Sequence, residues 1–202
     1  MKINEEEYII DEEENKYAKE GYIWLTAIGL QKVDGLETSA YLKDLSKQNE
    51  EGKVSFDEIK SLVNSYYESK PNETSSYEAD LVSIRIAQLL NNNSFSLSPL
   101  TFLSIHKTLF EGIYEHAGKI REYNITKKEW VLNDDSVTYG DYLDIRNTLE
   151  FDIQNEKQFS YRDLSIEQFI KHFSSFVSNL WQNHVFGEGN TRTTAVFIIK
   201  YL

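Results

Sequence analysis

The sequence predicts an all-α helical bundle with one small β-hairpin. Apolar side chains recur every three to four residues along most of the 202-residue chain, which is the spacing of amphipathic helices. Two of these segments begin with a serine followed three positions later by Glu or Gln, the signal of a capping box. Only residues 118–137 depart from this spacing, because β-favouring side chains alternate with polar ones there. This segment is predicted to form a hairpin or an extended flap.

Three helices are predicted in the first part of the chain, over residues 17–33, 39–49 and 55–67. Gly35 suits the end of the first helix, and Ser55 opens the third with a capping box. Residues 68–76 contain one of the two prolines and have the composition of a linker. We therefore divide the chain into an acidic, helical N-terminal segment, residues 1–75, and a second domain, residues 76–202.

Four further helices are predicted in the second domain, over residues 78–90, 98–110, 165–183 and 191–202. Pro99 follows a serine N-cap at the start of one of them, and Ser165 provides the second capping box. The helix that Ser165 opens carries apolar residues on several faces, which indicates a central, buried helix. The last helix reaches Leu202 without a stop signal, which indicates a truncated C-terminus.

Composition and charge argue against several classes of protein. The chain has no cysteine, so disulfide frameworks and cysteine-based metal sites or nucleophiles are excluded. It has no apolar run long enough to span a membrane, and its N-terminus is acidic, so we expect a cytoplasmic protein. The net charge is −12, and residues 1–80 alone hold 19 acidic and 9 basic side chains. Because such a chain repels phosphate backbones, we expect no nucleic-acid partner.

The stretch from His184 to Arg192 lies between two predicted helices and combines groups suited to phosphate chemistry. Gly187 and Gly189 permit unusual backbone angles and a close approach of a ligand. The helix that follows offers its first N–H groups and the positive end of its dipole, which together attract anions. Arg192 in the first turn of that helix opposes the dipole, unless an anion is bound beside it.

Two side chains of this loop predict catalysis. His184 is the one group in it that accepts a proton near neutral pH, and Glu188 offers the oxygen ligand that Mg²⁺ prefers. A base, a metal ligand and a phosphate cradle together indicate phosphoryl or nucleotidyl transfer. The other histidines, at positions 106, 116 and 172, are interpreted as structural.

The loop resembles the signature of the Fic family, His-x-Phe-x-Asp/Glu-Gly-Asn-Gly/Lys-Arg. The matching residues are His184, Phe186, Glu188, Gly189, Asn190 and Arg192. Residues 105–121 are similar to the family's helix that leads into its flap, and the likeness extends over about residues 80–202. The first third is similar, more loosely, to the antitoxin-like helical segment that accompanies some Fic domains.

The resemblance implies a Fic-type helical bundle that transfers AMP from ATP to a Tyr, Thr or Ser hydroxyl of a target protein. It implies that His184 is the general base, that Phe186 anchors the loop, and that Glu188 holds Mg²⁺. The residues implied to bind the nucleotide phosphates are Gly187, Gly189, Asn190, Thr191 and Arg192. The residues implied to form the target-docking flap are Ile125, Thr126, Lys127 and Lys128.

Two departures from the family pattern leave alternatives open. Thr191 replaces a frequent glycine, and Ala195 stands where a second arginine is common. A Fic fold that has lost activity and serves as an interaction module therefore remains an alternative, as does transfer of another phosphate-containing group. A metal-dependent hydrolase is a third hypothesis, although a catalytic metal usually has three protein ligands. The sequence also leaves a homo-oligomer open.

The family's inhibitory motif, Ser/Thr-x-x-x-Glu-Gly/Asn, has no clean copy in this chain. Asp34 precedes Gly35 in a degenerate version, and Glu78 follows Thr74 at the expected spacing. We hypothesise that Asp34 or Glu78 partly obstructs the nucleotide site.

Overall fold

The structure is a computed structural model that describes residues 12–70, 74–128 and 135–202, with side chains described from residue 21 onward. Those residues form eight helices and one hairpin: α1 Glu12–Val33, α2 Ala40–Glu50, α3 Phe56–Ser69, α4 Tyr77–Asn91, α5 Pro99–Phe110, β1 Thr126–Lys128, β2 Ser136–Thr138, α6 Ile145–Gln158, α7 Ile166–Asn183 and α8 Asn190–Tyr201. The predicted all-α class with a small hairpin is confirmed. Among the described residues, no helix has the length and apolar character required to cross a bilayer.

The chain divides into two compact units, Met1–Asn91 and Asn92–Leu202. The division falls later than the boundary predicted after residue 75, because α4 packs against α1 and α3 within the first unit. The two placements differ only in which unit holds α4.

One buried carboxylate organises the first unit. Asp80 on α4 is fully buried and accepts hydrogen bonds from the Ser39 main-chain N–H at 2.8 Å and from the Tyr67 hydroxyl at 2.8 Å. Ser39 is also the N-cap of α2, where its hydroxyl accepts from the Leu42 N–H. Burial raises the pKa of Asp80, and the hydrogen bonds from Ser39 and Tyr67 oppose that rise. The start of α2 is thereby joined to α3 and α4.

In the second unit, α5 packs against α8, and α7 packs against α6 and α8. The largest wholly buried side chains of this unit are aromatic: Phe102, Phe110, Phe186 and Phe197. Phe186 comes from the loop between α7 and α8, so this loop is anchored in the core of its unit.

The predicted flap is an antiparallel hairpin. Thr126 pairs with Thr138, Lys127 with Val137 and Lys128 with Ser136. The N–H of Tyr139 donates to the carbonyl of Ile125 at 3.2 Å, which extends the pairing toward the base of the hairpin. Trp130 and Val131, two of the residues that suggested the hairpin, lie outside the described residues.

Helix α7 differs from its prediction. Phe176 and Leu180 are buried, but Ile170 is 54% exposed and Trp181 is 49% exposed. The prediction of a central, buried helix was wrong, because apolar residues on several faces do not establish that every face is covered. Helix α6 was not predicted at all.

Candidate active site

The loop of residues 184–189 joins α7 to α8 and begins with a constrained histidine. His184 follows α7 directly, with φ 49° and ψ 60°, in the left-handed region that non-glycine residues rarely adopt. Its side chain is 8% exposed, and its ring stacks on Tyr139 with the centroids 3.8 Å apart. A left-handed residue other than glycine costs about 1–2 kcal/mol, so tertiary contacts must hold this conformation.

Arg121 supplies the most extensive of these contacts. Its Nε donates to the His184 carbonyl at 2.7 Å, and its Nη2 donates to the Asn183 carbonyl at 3.4 Å. The same guanidinium also donates to the carbonyls of Tyr123, before β1, and of Gly140, after β2. Arg121 is 4% exposed, and burial lowers its pKa. One cation therefore fixes both the end of α7 and the base of the hairpin.

His106 and Phe186 fix the middle of the loop. The Phe186 ring is fully buried and stacks on His106, with the centroids 3.7 Å apart. The Gly118 N–H donates to Nδ1 of His106 at 2.8 Å, so the proton of the neutral imidazole is on Nε2. From there it is donated to the Glu188 carbonyl at 3.0 Å. Burial lowers the pKa of His106 to about 4, which favours this neutral form. The structural interpretation of His106 agrees with these contacts.

Asn190 closes the loop on itself. Its Oδ1 accepts from the Phe186 N–H at 2.9 Å, and its Nδ2 donates to the Phe186 carbonyl at 2.7 Å. The sequence had placed Asn190 among the phosphate-binding residues. Its amide group is instead used within the loop, so its contribution to an anion site would come from the main-chain N–H at the start of α8.

Both loop glycines lie where another side chain approaches the backbone closely, and at Gly189 this approach leaves no room for a side chain. A Cβ on Gly187 would lie 2.6 Å from the Tyr123 hydroxyl oxygen. Gly189 has φ 74°, and a Cβ there would overlap the Phe110 ring. These glycines allow Tyr123 and Phe110 to approach the loop backbone. The sequence had suggested only that they allow a ligand to approach it.

Arg192 and Glu188 occupy different environments. Arg192 is 2% exposed; its guanidinium carbon lies 4.7 Å from the centroid of the Phe110 ring, and its Nη2 donates to the Tyr114 hydroxyl at 3.2 Å. The Glu188 side chain is exposed. No group of three or more His, Cys, Asp or Glu side chains within the described ranges is placed to hold a metal ion. A single exposed carboxylate fits a Mg²⁺ that keeps several waters and is shared with substrate phosphates.

A cleft of about 380 Å³ opens beside Gly187. Lys119, Arg121 and Tyr123 line it, as does His116, whose Nε2 is enclosed without a hydrogen-bond partner among the described residues. The loop is therefore not sealed by the core on this side.

The remaining predicted residues divide between the units. Thr191 lies in the first turn of α8, and Ala195 follows on the same helix. Thr126, Lys127 and Lys128 form β1, with Ile125 directly before them. The structure thus brings the hairpin and His184 together, through Tyr139 and Arg121. Asp34 and Glu78 belong to the first unit, and their inhibitory role stays a prediction.

Sequence reasoning missed Arg121 and Tyr139 as site residues. Arg121 lay within the family-like segment 105–121 but had been assigned no role. Spacing could have predicted that His106 is buried. Phe102, His106 and Phe110 stand four residues apart on α5, which indicates that they share one buried face. Tyr139 carried no local signal.

Comparison with known proteins identifies a family for the second unit. The model of the Fic/DOC family matches residues 96–202, which include α5, the hairpin, α6, α7, the loop and α8. Neither the comparison with curated proteins nor the comparison with solved structures found a match.

Arg121→Lys is expected to destabilise the second unit by about 2–4 kcal/mol, because a single ammonium cannot reach carbonyls that a planar guanidinium reaches in several directions. Urea unfolding followed by tryptophan fluorescence would measure the change. Arg146→Lys on the exposed face of α6 is the matched control, with an expected change within about 0.5 kcal/mol. Equal effects of the two substitutions would contradict the role assigned to Arg121.

His106 predicts a pH dependence of stability. Its imidazole in the folded chain takes up a proton only near pH 4, against an ordinary value of 6.5. The unfolded chain binds more protons between these values, so stability falls as the pH drops from about 6.5 to about 4. The total is about 3 kcal/mol. His106→Gln keeps one amide donor and one acceptor and should flatten this part of the unfolding free energy plotted against pH. Parallel curves for the two proteins would refute the assignment.

Proposed function

The chain belongs to the Fic/DOC family, and on that premise we propose that it transfers AMP from ATP to a hydroxyl group of another protein. The family placement makes it a Fic-type transferase of phosphate-containing groups. The choice of AMP, and of a protein hydroxyl as acceptor, is our inference from the residues of the loop.

The observation that carries the proposal is the position of His184. Its ring lies against Tyr139, and its main chain is held by Arg121 at the point where α7 ends. The loop then leads within a few residues into the N-terminus of α8. A histidine that ends one helix and the amides that begin the next helix thus support the proposal, because an alcohol that attacks a phosphate requires a proton acceptor and donors for the phosphate charge.

In the proposed reaction, His184 accepts the proton of the target hydroxyl as its oxygen attacks the α-phosphorus of ATP. The new phosphorus–oxygen bond forms as the bond to the bridging oxygen of the β-phosphate breaks, and pyrophosphate leaves in line. The target keeps AMP as a phosphodiester, and the imidazolium returns its proton to solvent.

The phosphates would be bound by main-chain amides of the loop and of the first turn of α8, between Gly187 and Arg192. Phe186, His106 and Asn190 hold these amides in place before a ligand arrives. Glu188 would hold Mg²⁺, which neutralises phosphate charge when bound. Arg192 adds positive charge beneath the same turn.

The hairpin would dock the target. In a two-stranded sheet each strand keeps one edge that no other strand of the sheet covers, and the residues of β1 are exposed. An extended target segment could pair with such an edge through main-chain hydrogen bonds, which require little of its sequence. The hydroxyl would then be delivered beside Tyr139 and His184.

Labelled ATP tests the proposal. We expect label from the α-phosphate to appear on protein in the presence of Mg²⁺, and His184→Ala to reduce it by about 10²–10⁴-fold through loss of the base. Glu188→Gln should weaken the dependence on Mg²⁺, whereas Glu150→Gln on the exposed face of α6 is the matched control and should not. Thermal unfolding would verify that the variants are folded.

Other labelling patterns would favour the alternatives. Label from the γ-phosphate on protein would indicate a kinase, and free phosphate without protein label would indicate a hydrolase. Absence of both would favour an interaction module, which the alanine at position 195 also suggests.

The inhibitory hypothesis has a separate test. If Asp34 or Glu78 obstructs the nucleotide site, replacing either with Ala should increase labelling, because the site is then open to ATP. Glu37→Ala, an exposed acidic residue of the same unit, is the control and should leave labelling unchanged. Unchanged labelling in Asp34→Ala and Glu78→Ala would remove both residues from consideration.

A further inference from the structure

A second cleft, which we call the α6–α7 cleft, lies beside Tyr139, the residue that stacks on His184. Its volume is about 410 Å³, and it is lined by residues of α6, of α7 and of the segment that leaves β2. The lining residues that matter here are Tyr139, Phe151, Asp152, Asn179, Gln182 and Asn183. The cleft therefore begins where the hairpin ends.

Two buried acceptors among the residues that line this cleft receive no hydrogen bond from any described residue. Oδ2 of Asp152 and Oδ1 of Asn183 are enclosed and make no hydrogen bond within the part of the chain that the structure describes. Asp152 is 8% exposed and Asn183 is 3% exposed. The Asn183 amide is oriented by donation from its Nδ2 to the Ile145 carbonyl at 3.1 Å, so its oxygen is the atom left over. A buried acceptor without a partner costs about 1–3 kcal/mol, which a donor supplied by a ligand would recover.

The charge of the cleft indicates whether that ligand is a cation or an anion. Among the described residues that line it, Asp152 is the only one with a carboxylate side chain, and none is a Lys or Arg. A smaller cleft of about 160 Å³ continues from it along α6 and α7 and shares Asp152 and Asn179. Glu156 in that continuation already accepts a hydrogen bond from His172 Nε2 at 2.8 Å. Asp152 is therefore the carboxylate that can accept a further hydrogen bond. Burial raises the pKa of Asp152, and a hydrogen bond from Asn179 opposes the rise.

An organic cation fits the cleft better than a metal ion. Mg²⁺ and Ca²⁺ require six or more oxygen ligands, whereas two acceptor oxygens are left over here. The rings of Tyr139 and Phe151 line the same cleft, and aromatic rings attract ammonium and guanidinium groups. An ammonium or guanidinium group carries several donors, which is what an unpaired acceptor such as Oδ2 of Asp152 lacks.

We propose that the α6–α7 cleft binds a lysine or arginine side chain of the target protein. This inference rests on the proposed function, in which an extended target segment lies along the hairpin. A segment paired with the hairpin carries its side chains past Tyr139, where the cleft opens. Strand pairing alone is nearly independent of sequence, so recognition of one basic side chain would give the enzyme a preference among targets.

Binding of small probes to the full chain tests this without ATP. Nα-acetyl-lysine methylamide, titrated into the isotopically labelled protein, is expected to shift the amide signals of Thr148, Asn179 and Asn183 in a saturable manner. The uncharged analogue Nα-acetyl-norleucine methylamide should not. Asp152→Asn, which keeps the shape of the side chain, should weaken lysine binding by about tenfold. Glu150→Gln removes an equal charge from the exposed face of α6 and should change binding less than about twofold.

Several outcomes would overturn the proposal. They are the absence of saturable binding, equal binding of the norleucine analogue, and an Asp152→Asn variant that binds as the unaltered chain does. The comparison of lysine with norleucine uses the unaltered protein, so it remains decisive if the variant fails to fold. Because no nucleotide is present, failure here would leave AMP transfer untouched, and failure of the labelling experiment would leave this binding result intact.

Discussion

The second unit depends on one buried guanidinium. Arg121 binds main-chain carbonyls at the end of α7 and on both sides of the hairpin, and it thereby joins two segments that are about sixty residues apart in sequence. Only arginine has enough donors, spread in a plane, to satisfy carbonyls in several directions. Because these acceptors are main-chain atoms, the arrangement depends little on which side chains the neighbouring residues carry. The constrained backbone of His184 follows from it.

A second layer of neutral groups shapes the rest of the loop. His106 and Asn190 hold the backbone of Glu188 and Phe186 through hydrogen bonds that involve no net charge. An anion arriving at α8 would therefore meet main-chain amides that are already oriented. Preorganised donors of this kind stabilise developing charge without a cost of reorganisation in the reaction step.

Local signals account for what the sequence could predict. Ser39, Ser55 and Ser165 each cap a helix, because a capping side chain contacts an amide only a few residues away. The loop between α7 and α8 was also predictable, because its signal lies within a few consecutive residues. Helix α6 was missed although Ile145, Leu149 and Ile153 stand four residues apart, since charged residues separate them. The roles of Arg121 and Tyr139 were beyond reach, because their partners lie far away in the chain. The exposure of α7 was misjudged because amphipathic spacing does not reveal what packs against a face.

The stack of His184 on Tyr139 connects the proposed docking site for the target with the proposed catalytic base. Tyr139 continues directly from β2, so any movement of the hairpin would also move the ring on which the imidazole stacks. In the proposed reaction, a target that fits the hairpin poorly would then react more slowly as well as bind more weakly. Under the proposed transfer to a protein hydroxyl, selectivity would arise from induced fit, in which the correct partner completes the catalytic geometry.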